Sequence, residues 1–495
     1  MTGAAGLGDT AAFGGEGDAG LLSPVSASPL VAALTGDRAV LAAILAVESG
    51  WAAVLEKAGL APAGAAAVVS AAAEPGRYSV AAIARRAQGG GNPVIPLLAD
   101  LRKQVAALDS AGVGAGKAVH TSLTSQDVLD TALMLVARNT VEALLGDLKR
   151  TTAALAALAE RHADTLCVGR SLTQHSLPFT CGLRAAQWFQ GTAAAGRQLA
   201  GLDFPVQFGG AAGTLAAATV LTRGSAATPF GLADALASQL GLATAPAPWH
   251  TNRLAVTSLG NALAAVLDAF GKIAADVLFL SRPEVGELAE PRAAGRGVSS
   301  AMPQKQNPVL SVLVRSAALQ APALAAQLHL AAANFNDERP DAAWHTEWPA
   351  LRQLLALSLG AAGHVRELAE GLQVFPDAMR RNLDLAGPLL LAEGVGAAVA
   401  PLLPDKGGLS GKQQLQAVVD QTLQAPPAEQ AATYRKLLRE AVPAGVLSDL
   451  RLEEILNPAS YLGEAPEIAR RILAAYPDFA ANPPADTEPN GASRG

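Results

Sequence analysis

Apolar residues recur along most of this chain at the spacing of an α-helix, and the intervals between these patterns are short and polar. The clearest helix follows Thr124-Ser125-Gln126-Asp127. That tetrapeptide has the form of a capping box, in which each end of the first turn offers a side chain to the other's backbone N–H. Leu129, Ala132, Leu133 and Val136 then fall at i, i+3, i+4 and i+7, and Leu144, Leu145 and Leu148 continue nearby. No break precedes His162, so the pattern predicts a helix of about ten turns. Similar patterns cover 180–200, 251–282, 306–334 and 343–374, and Pro322 is expected to kink the third of these.

Helices this long seldom stand alone. Packed side by side they make a bundle, and apolar stripes left over make an oligomer core. The expected fold is all-α in three helical domains. These are an N-terminal domain over 19–116, a central long-helix bundle over 117–374 and a smaller C-terminal domain over 375–481. The Gly/Ala-rich residues 1–18 and the polar residues 482–495 are expected to be disordered tails.

Composition sharpens this picture. Among 495 residues, 50% are hydrophobic and only 4% aromatic, with Ala and Leu, the best helix formers, dominant. The net charge of -6 comes with no basic stripe, which argues against nucleic acid as a partner. Two cysteines, Cys167 and Cys181, fit a reduced cytoplasmic protein and no disulfide framework. The first residues lack the basic and apolar regions of a signal peptide. The longest uncharged stretch, between Arg315 and Asp337, carries Gln320, Gln327, His329 and Asn334. It reads as a buried helix rather than a membrane span.

Four polar islands interrupt the helices. In His120-Thr121-Ser122-Leu123-Thr124-Ser125, hydroxyls meet a helix N-terminus, a geometry that caps a helix and also favours anions. Thr173, Gln174 and His175 are consecutive hydrogen-bonding side chains before a new helix. Trp249-His250-Thr251-Asn252-Arg253 is equally a carboxylate-binding turn or a packed one. The fourth is Gly297-Val298-Ser299-Ser300-Ala301-Met302-Pro303-Gln304-Lys305-Gln306-Asn307-Pro308. Small residues around Arg292 and Arg296 precede it and predict a mobile lid. Lys305 and Asn307 fall at the start of the next helix, where charge and dipole both favour anions. The seven histidines form no i, i+4 pair and join no cysteine motif, so no zinc site is expected.

The four islands, in this order, resemble the fumarase/aspartase superfamily. The stretch SSAMPQKQNP is similar to its signature G-S-S-x-M-P-x-K-x-N-P, with Val298 standing between Gly297 and the serines. The resemblance runs over about 20–480. Within the superfamily, TSQDVLDTA, LTQHSLPFTCGLRAA, QFGGAAGTLA, PWHTNR, GNPVIPL and EVGE look most like the bacterial 3-carboxy-cis,cis-muconate cycloisomerases. Adenylosuccinate lyases share TSQDV and SSAMP. They and argininosuccinate lyases, however, carry a histidine where this chain has Leu172.

The resemblance implies addition or elimination beta to a carboxylate, through an aci-carboxylate that needs a pocket of donors. It implies Ser299, Ser300 and His175 as catalytic residues, Ser299 preferred as the proton carrier. Lys305, Asn307, Thr124, Ser125, Thr173 and Gln174 are then expected to bind a tricarboxylate, with His120, Asn92, His250 and Arg253 behind them. It also implies a cytoplasmic homotetramer with a twenty-helix core, sites shared between subunits, and no metal or organic cofactor.

Overall fold

The structure, a computed structural model, describes residues 20–302 and 304–481. Both expected tails, 1–18 and 482–495, lie outside the described residues, as does Pro303.

The described residues are mostly helical, and the helices that position the polar islands are α1 (Asp37–Lys57), α2 (Val94–Leu108), α3 (Ser125–Arg161), α4 (Cys181–Ala200), α5 (Leu254–Leu280), α6 (Val309–Ala333) and α7 (Ala342–Gly371). The long helices match the hydrophobic periodicities to within a few residues. Pro322 does not interrupt α6, nor Pro349 α7. A proline removes one N–H, and in so long a helix the remaining ladder and the packing hold the element together.

One polar island behaves differently from expectation. Residues 169–178 are not a loop but part of a β-hairpin, Leu166–Ser171 (β1) against Gln174–Thr180 (β2). Ser171 pairs with Gln174, leaving a two-residue turn at Leu172 and Thr173, with φ of 49° and 71°. Both φ values are positive, as the right-handed twist of a tight hairpin requires. Glycine and asparagine are the usual occupants, and their absence hid the turn in the sequence.

Contacts divide the chain into two compact units. The first draws on Met1–Gly146, Ala195–Gly271 and Leu313–His364; the second on Asp147–Ala194, Lys272–Val312 and Val365–Gly495. In the first, Trp51 and Leu55 of α1 bury against Val206, Phe208, Leu232 and Leu236. In the second, a C-terminal core forms around Leu391, Val399, Tyr434, Leu438 and Val442. Each buried side chain of this size contributes about 1.5–3 kcal/mol of apolar transfer. The segments Pro29–Lys57 and Val309–Ala333 are long and apolar enough to cross a membrane by length and composition. On α6, Leu319 and Leu330 are 72% and 60% exposed, and their spacing of 11 residues keeps them on one helix face.

Candidate active site

In the first unit the site is built around Asp127. Its carboxylate is buried and accepts four hydrogen bonds. Thr124 N and Gly210 N donate to Oδ2, both at 3.0 Å. Gly209 N donates to Oδ1 at 2.9 Å, and His250 Nε2 lies 2.7 Å from the same oxygen. One aspartate therefore joins the 120–125 island, the Gly-rich loop at 207–213 and the Trp249–Arg253 turn. Only glycine fits at 209, because a Cβ there would lie 2.7 Å from His250 Cε1 and 2.8 Å from Pro248 Cβ.

The capping box is half formed. Asp127 takes Thr124 N, but Thr124 Oγ1 accepts from Arg339 Nη1 at 2.7 Å. Arg339 Nε also donates to Gln126 Oε1 at 3.2 Å. Both of these partners are neutral, and the guanidinium is half-buried. Arg339 lies on the α6–α7 connection and carries no sequence motif that pointed to it. Ser125 is the half-buried first residue of α3.

His120 and Ser122 both adopt left-handed backbone, with φ of 60° and 65°. The His120 ring is held by Glu48 on α1, Nδ1 to Oε1 at 2.7 Å.

His250 and Arg253, expected among the substrate-binding residues, lie beneath the island and are 3% exposed. Arg253 makes a paired contact with Asp130 (2.8 and 3.1 Å) and a second with Glu347. Its guanidinium sits between the rings of Trp249 and Phe335, at 4.7 and 4.9 Å. Burial pushes the Glu347 carboxyl above the ordinary range, against the pull of Arg253. The pattern WHTNR reads equally as a carboxylate-binding turn or a packed one. It is an internal keystone, because Asp130 and Glu347 already supply the anions. Asn92 closes its own turn, accepting from Val94 N at 3.1 Å and donating to Gly90 O at 3.3 Å, which starts α2.

In the second unit the β1–β2 hairpin is anchored by Glu287, which is fully buried. Arg170 Nη2 reaches it at 2.6 Å, Asn382 Nδ2 at 2.8 Å and Arg184 at 3.5 Å. The hairpin carries Thr173, Gln174 and His175 on an exposed edge, bordering a cleft with Ala386, Leu389 and Leu390. Partial burial, then the charge of Arg170, holds the His175 ring below its ordinary pKa. Leu172 at the tip is 93% exposed.

The signature loop is a closed Ω-like turn. Gly297 has φ 70°, and its carbonyl accepts from Asn307 N at 2.8 Å and Asn307 Nδ2 at 3.2 Å. Val298 bridges to Gln306, and Gln306 Nε2 donates to Arg296 O at 2.9 Å. Inside this ring, Ala301 N and Met302 N donate to Ser299 Oγ at 3.4 and 3.2 Å. Among the described residues, it is Ser299 rather than Ser300 that these backbone donors face. Two N–H dipoles on one hydroxyl oxygen stabilise the alkoxide more than the alcohol, which is the activation a serine base needs.

Lys305 is exposed on the loop, and α6 begins only at Val309. The anion expected at that helix N-terminus is internal. Glu290 accepts from Leu310 N and Ser311 N at 3.0 and 2.7 Å. Asn307 is a loop fastener through its Nδ2. Among the described residues, no cluster of three or more His, Cys, Asp or Glu could hold a metal ion.

The sequence profile of a lyase family matches residues 37–322. The chain belongs to the fumarase/aspartase superfamily. Over 92% of its length it is 42% identical to a nitrosuccinate lyase of Streptomyces davaonensis, covering 94% of that protein. It is 38% identical to a 3-carboxy-cis,cis-muconate cycloisomerase of Pseudomonas aeruginosa, over 90% of this chain and 94% of the relative. A crystal structure of the 3-carboxy-cis,cis-muconate lactonizing enzyme of Pseudomonas putida superposes with a TM-score of 0.83 at 33% identity, covering 93% of this chain and all of that one. An enzyme of this superfamily, built on helices, is therefore the coarse identity.

Proposed function

We propose that the chain is a 3-carboxy-cis,cis-muconate cycloisomerase of aromatic-acid breakdown, which closes its substrate to 4-carboxymuconolactone. One substrate carboxylate adds across the conjugated diene. Ser299 Oγ delivers the proton to the carbon alpha to a second carboxylate, and removes it in the reverse direction. The observation that carries this reading is the pair of backbone N–H groups on Ser299 Oγ within the superfamily's signature loop. Arg339, Thr124, Ser125, Lys305, Thr173 and Gln174 supply donors to the carboxylates, with neutral His175 beside them. The nucleophile is tethered to the substrate, so the step is intramolecular and gains a large effective molarity. Its reverse expels a carboxylate, which leaves without protonation. Leu172 at the hairpin tip, in place of a histidine, agrees with that chemistry. We further propose a cytoplasmic homotetramer whose long helices pack as a twenty-helix core and whose sites take loops from more than one subunit. The exposed Leu319 and Leu330 support it.

A second reading has a specific observation behind it, the 42% identity to a nitrosuccinate lyase. Elimination from nitrosuccinate uses the same kind of proton removal and expels nitrite, also a leaving group that needs no acid. Leu172 fits both readings.

The deciding experiment is a parallel ultraviolet assay. With 3-carboxy-cis,cis-muconate the expected result is loss of diene absorbance and formation of the lactone. Nitrite and fumarate released from nitrosuccinate, with no lactonisation, would replace the first reading by the second. In either case Ser299→Ala should abolish turnover and leave substrate binding nearly intact. Turnover near the wild-type rate in that variant removes Ser299 from the mechanism.

A further inference from the structure

The geometry points to Glu48 and Trp51, on α1 and outside all four polar islands, as positioning residues that set His120 and its strained turn for carboxylate binding. The inference rests on the superfamily reading of the first island. Two non-glycine residues two positions apart, His120 and Ser122, hold left-handed backbone. Each such residue costs about 1–2 kcal/mol and persists only where the surroundings over-determine it.

The surroundings here are two side chains one helical turn apart. Trp51, fully buried, donates from Nε1 to Thr121 O at 2.8 Å. Glu48, with its side chain 1% exposed, takes His120 Nδ1 at 2.7 Å, while the His120 side chain is 13% exposed. Thr121 Oγ1 closes the turn from the other side on Lys117 O at 2.6 Å. Glu48 Oε2 is buried and has no hydrogen-bond partner among the described residues. A carboxylate is costly to bury with one oxygen unpaired. A packing role would be filled better by leucine, so the acid's presence is explained by what it does to the imidazole. With Nδ1 fixed on Glu48, Nε2 is the ring atom left to meet a ligand.

The test is a double-mutant cycle read on affinity. The variants are Glu48→Leu, Glu48→Gln, His120→Asn, Trp51→Phe and the Glu48→Leu/His120→Asn pair. Glu48→Leu is expected to raise KM about tenfold with kcat within about threefold. Glu48→Gln keeps the acceptor and stays within about threefold on both. The pair is no worse than His120→Asn alone, because Glu48 acts through His120. Trp51→Phe removes the second clamp and also raises KM, which keeps the idea testable should Glu48→Leu fail to fold.

Binding of tricarballylate, an unreactive tricarboxylate, is titrated calorimetrically in parallel. If no tested substrate turns over but tricarballylate affinity follows this pattern, the proposed reaction fails and the positioning role stands. Additive effects in the cycle overturn the role. So do affinities that ignore Glu48 and Trp51 while the melting temperature falls, which is the mark of a packing residue only.

Discussion

Replacing Gly297 by alanine asks whether loop geometry, beyond the presence of Ser299, is needed for turnover. The cost can be worked from the structure. An L-residue at φ 70° costs about 1–2 kcal/mol. The new Cβ would also lie 2.5 Å from Asn307 O, closer than real Cβ atoms come, and would strike Gln306 Nε2. The Gln306 side chain can swing away, but the backbone of Asn307 must shift, which breaks the 2.8 Å bond from Asn307 N to Gly297 O. A lost hydrogen bond adds about 1 kcal/mol, and its weaker Nδ2 companion somewhat less. The sum, about 3 kcal/mol, lies between the closed ring that aims Ala301 N and Met302 N at Ser299 and an opened one. At about 1.4 kcal/mol per decade, kcat/KM should fall by about a hundredfold. Because most of residues 293–306 are exposed, the melting temperature should barely move. Gly295→Ala is the control. Its φ is 75° but its Cβ would meet nothing within 4 Å, so it carries strain without the clash and should lose about tenfold or less. The assay is steady-state kinetics on the substrate that turns over, with calorimetric melting of each variant. A Gly297→Ala enzyme within threefold of wild type, or a loss equal to that of Gly295→Ala, would refute the reasoning.

Three further outcomes follow from other parts of the molecule. Arg253→Met should destabilise the fold by about 3–5 kcal/mol at neutral pH, since Asp130 and Glu347 lose their buried cation. Carboxyls with raised pKa contribute stability at low pH that is lost as pH rises. The deficit, read by urea unfolding, should therefore shrink toward pH 5, and a deficit independent of pH contradicts the account. The acid limb of the kcat/KM profile should have its midpoint below the ordinary histidine value of 6.5, because burial and Arg170 depress His175. His175→Asn should abolish that limb, and a limb that survives belongs to another group. Leu172→His should not speed lactonisation, and a clear gain in rate would show that an acid is needed at the hairpin tip after all.

Much of the helical scaffold was legible in the chain. The long helices, from Ser125 to Arg161 and at the four later positions, follow from apolar spacing, since a period near 3.6 has one way to bury its stripe. The signature around Ser299 was legible as well, because its glycine, serines and prolines serve a backbone shape that few other sequences take. The hairpin at 166–180 was not, because Leu172-Thr173 lacks the residues that usually mark a two-residue turn. Its registration depends on Glu287, more than a hundred residues away, gathering Arg170 and Arg184.

The sequence by itself determined the class of element, the places where polar chemistry interrupts it, and the family. These depend on periodicity and on contiguous motifs, which are local. Tertiary structure alone decided which polar residues face outward and which are consumed inside. WHTNR reads equally as an anion site or a packed turn and the helix start after Asn307 as an anion site, and both have their anions already, from Asp130 with Glu347 and from Glu290. Arg339 and Glu48 carried no signal, and they meet Thr124 and His120 only across more than seventy residues. A charge's function depends on whether a counter-charge is buried beside it, and that is set by long-range packing.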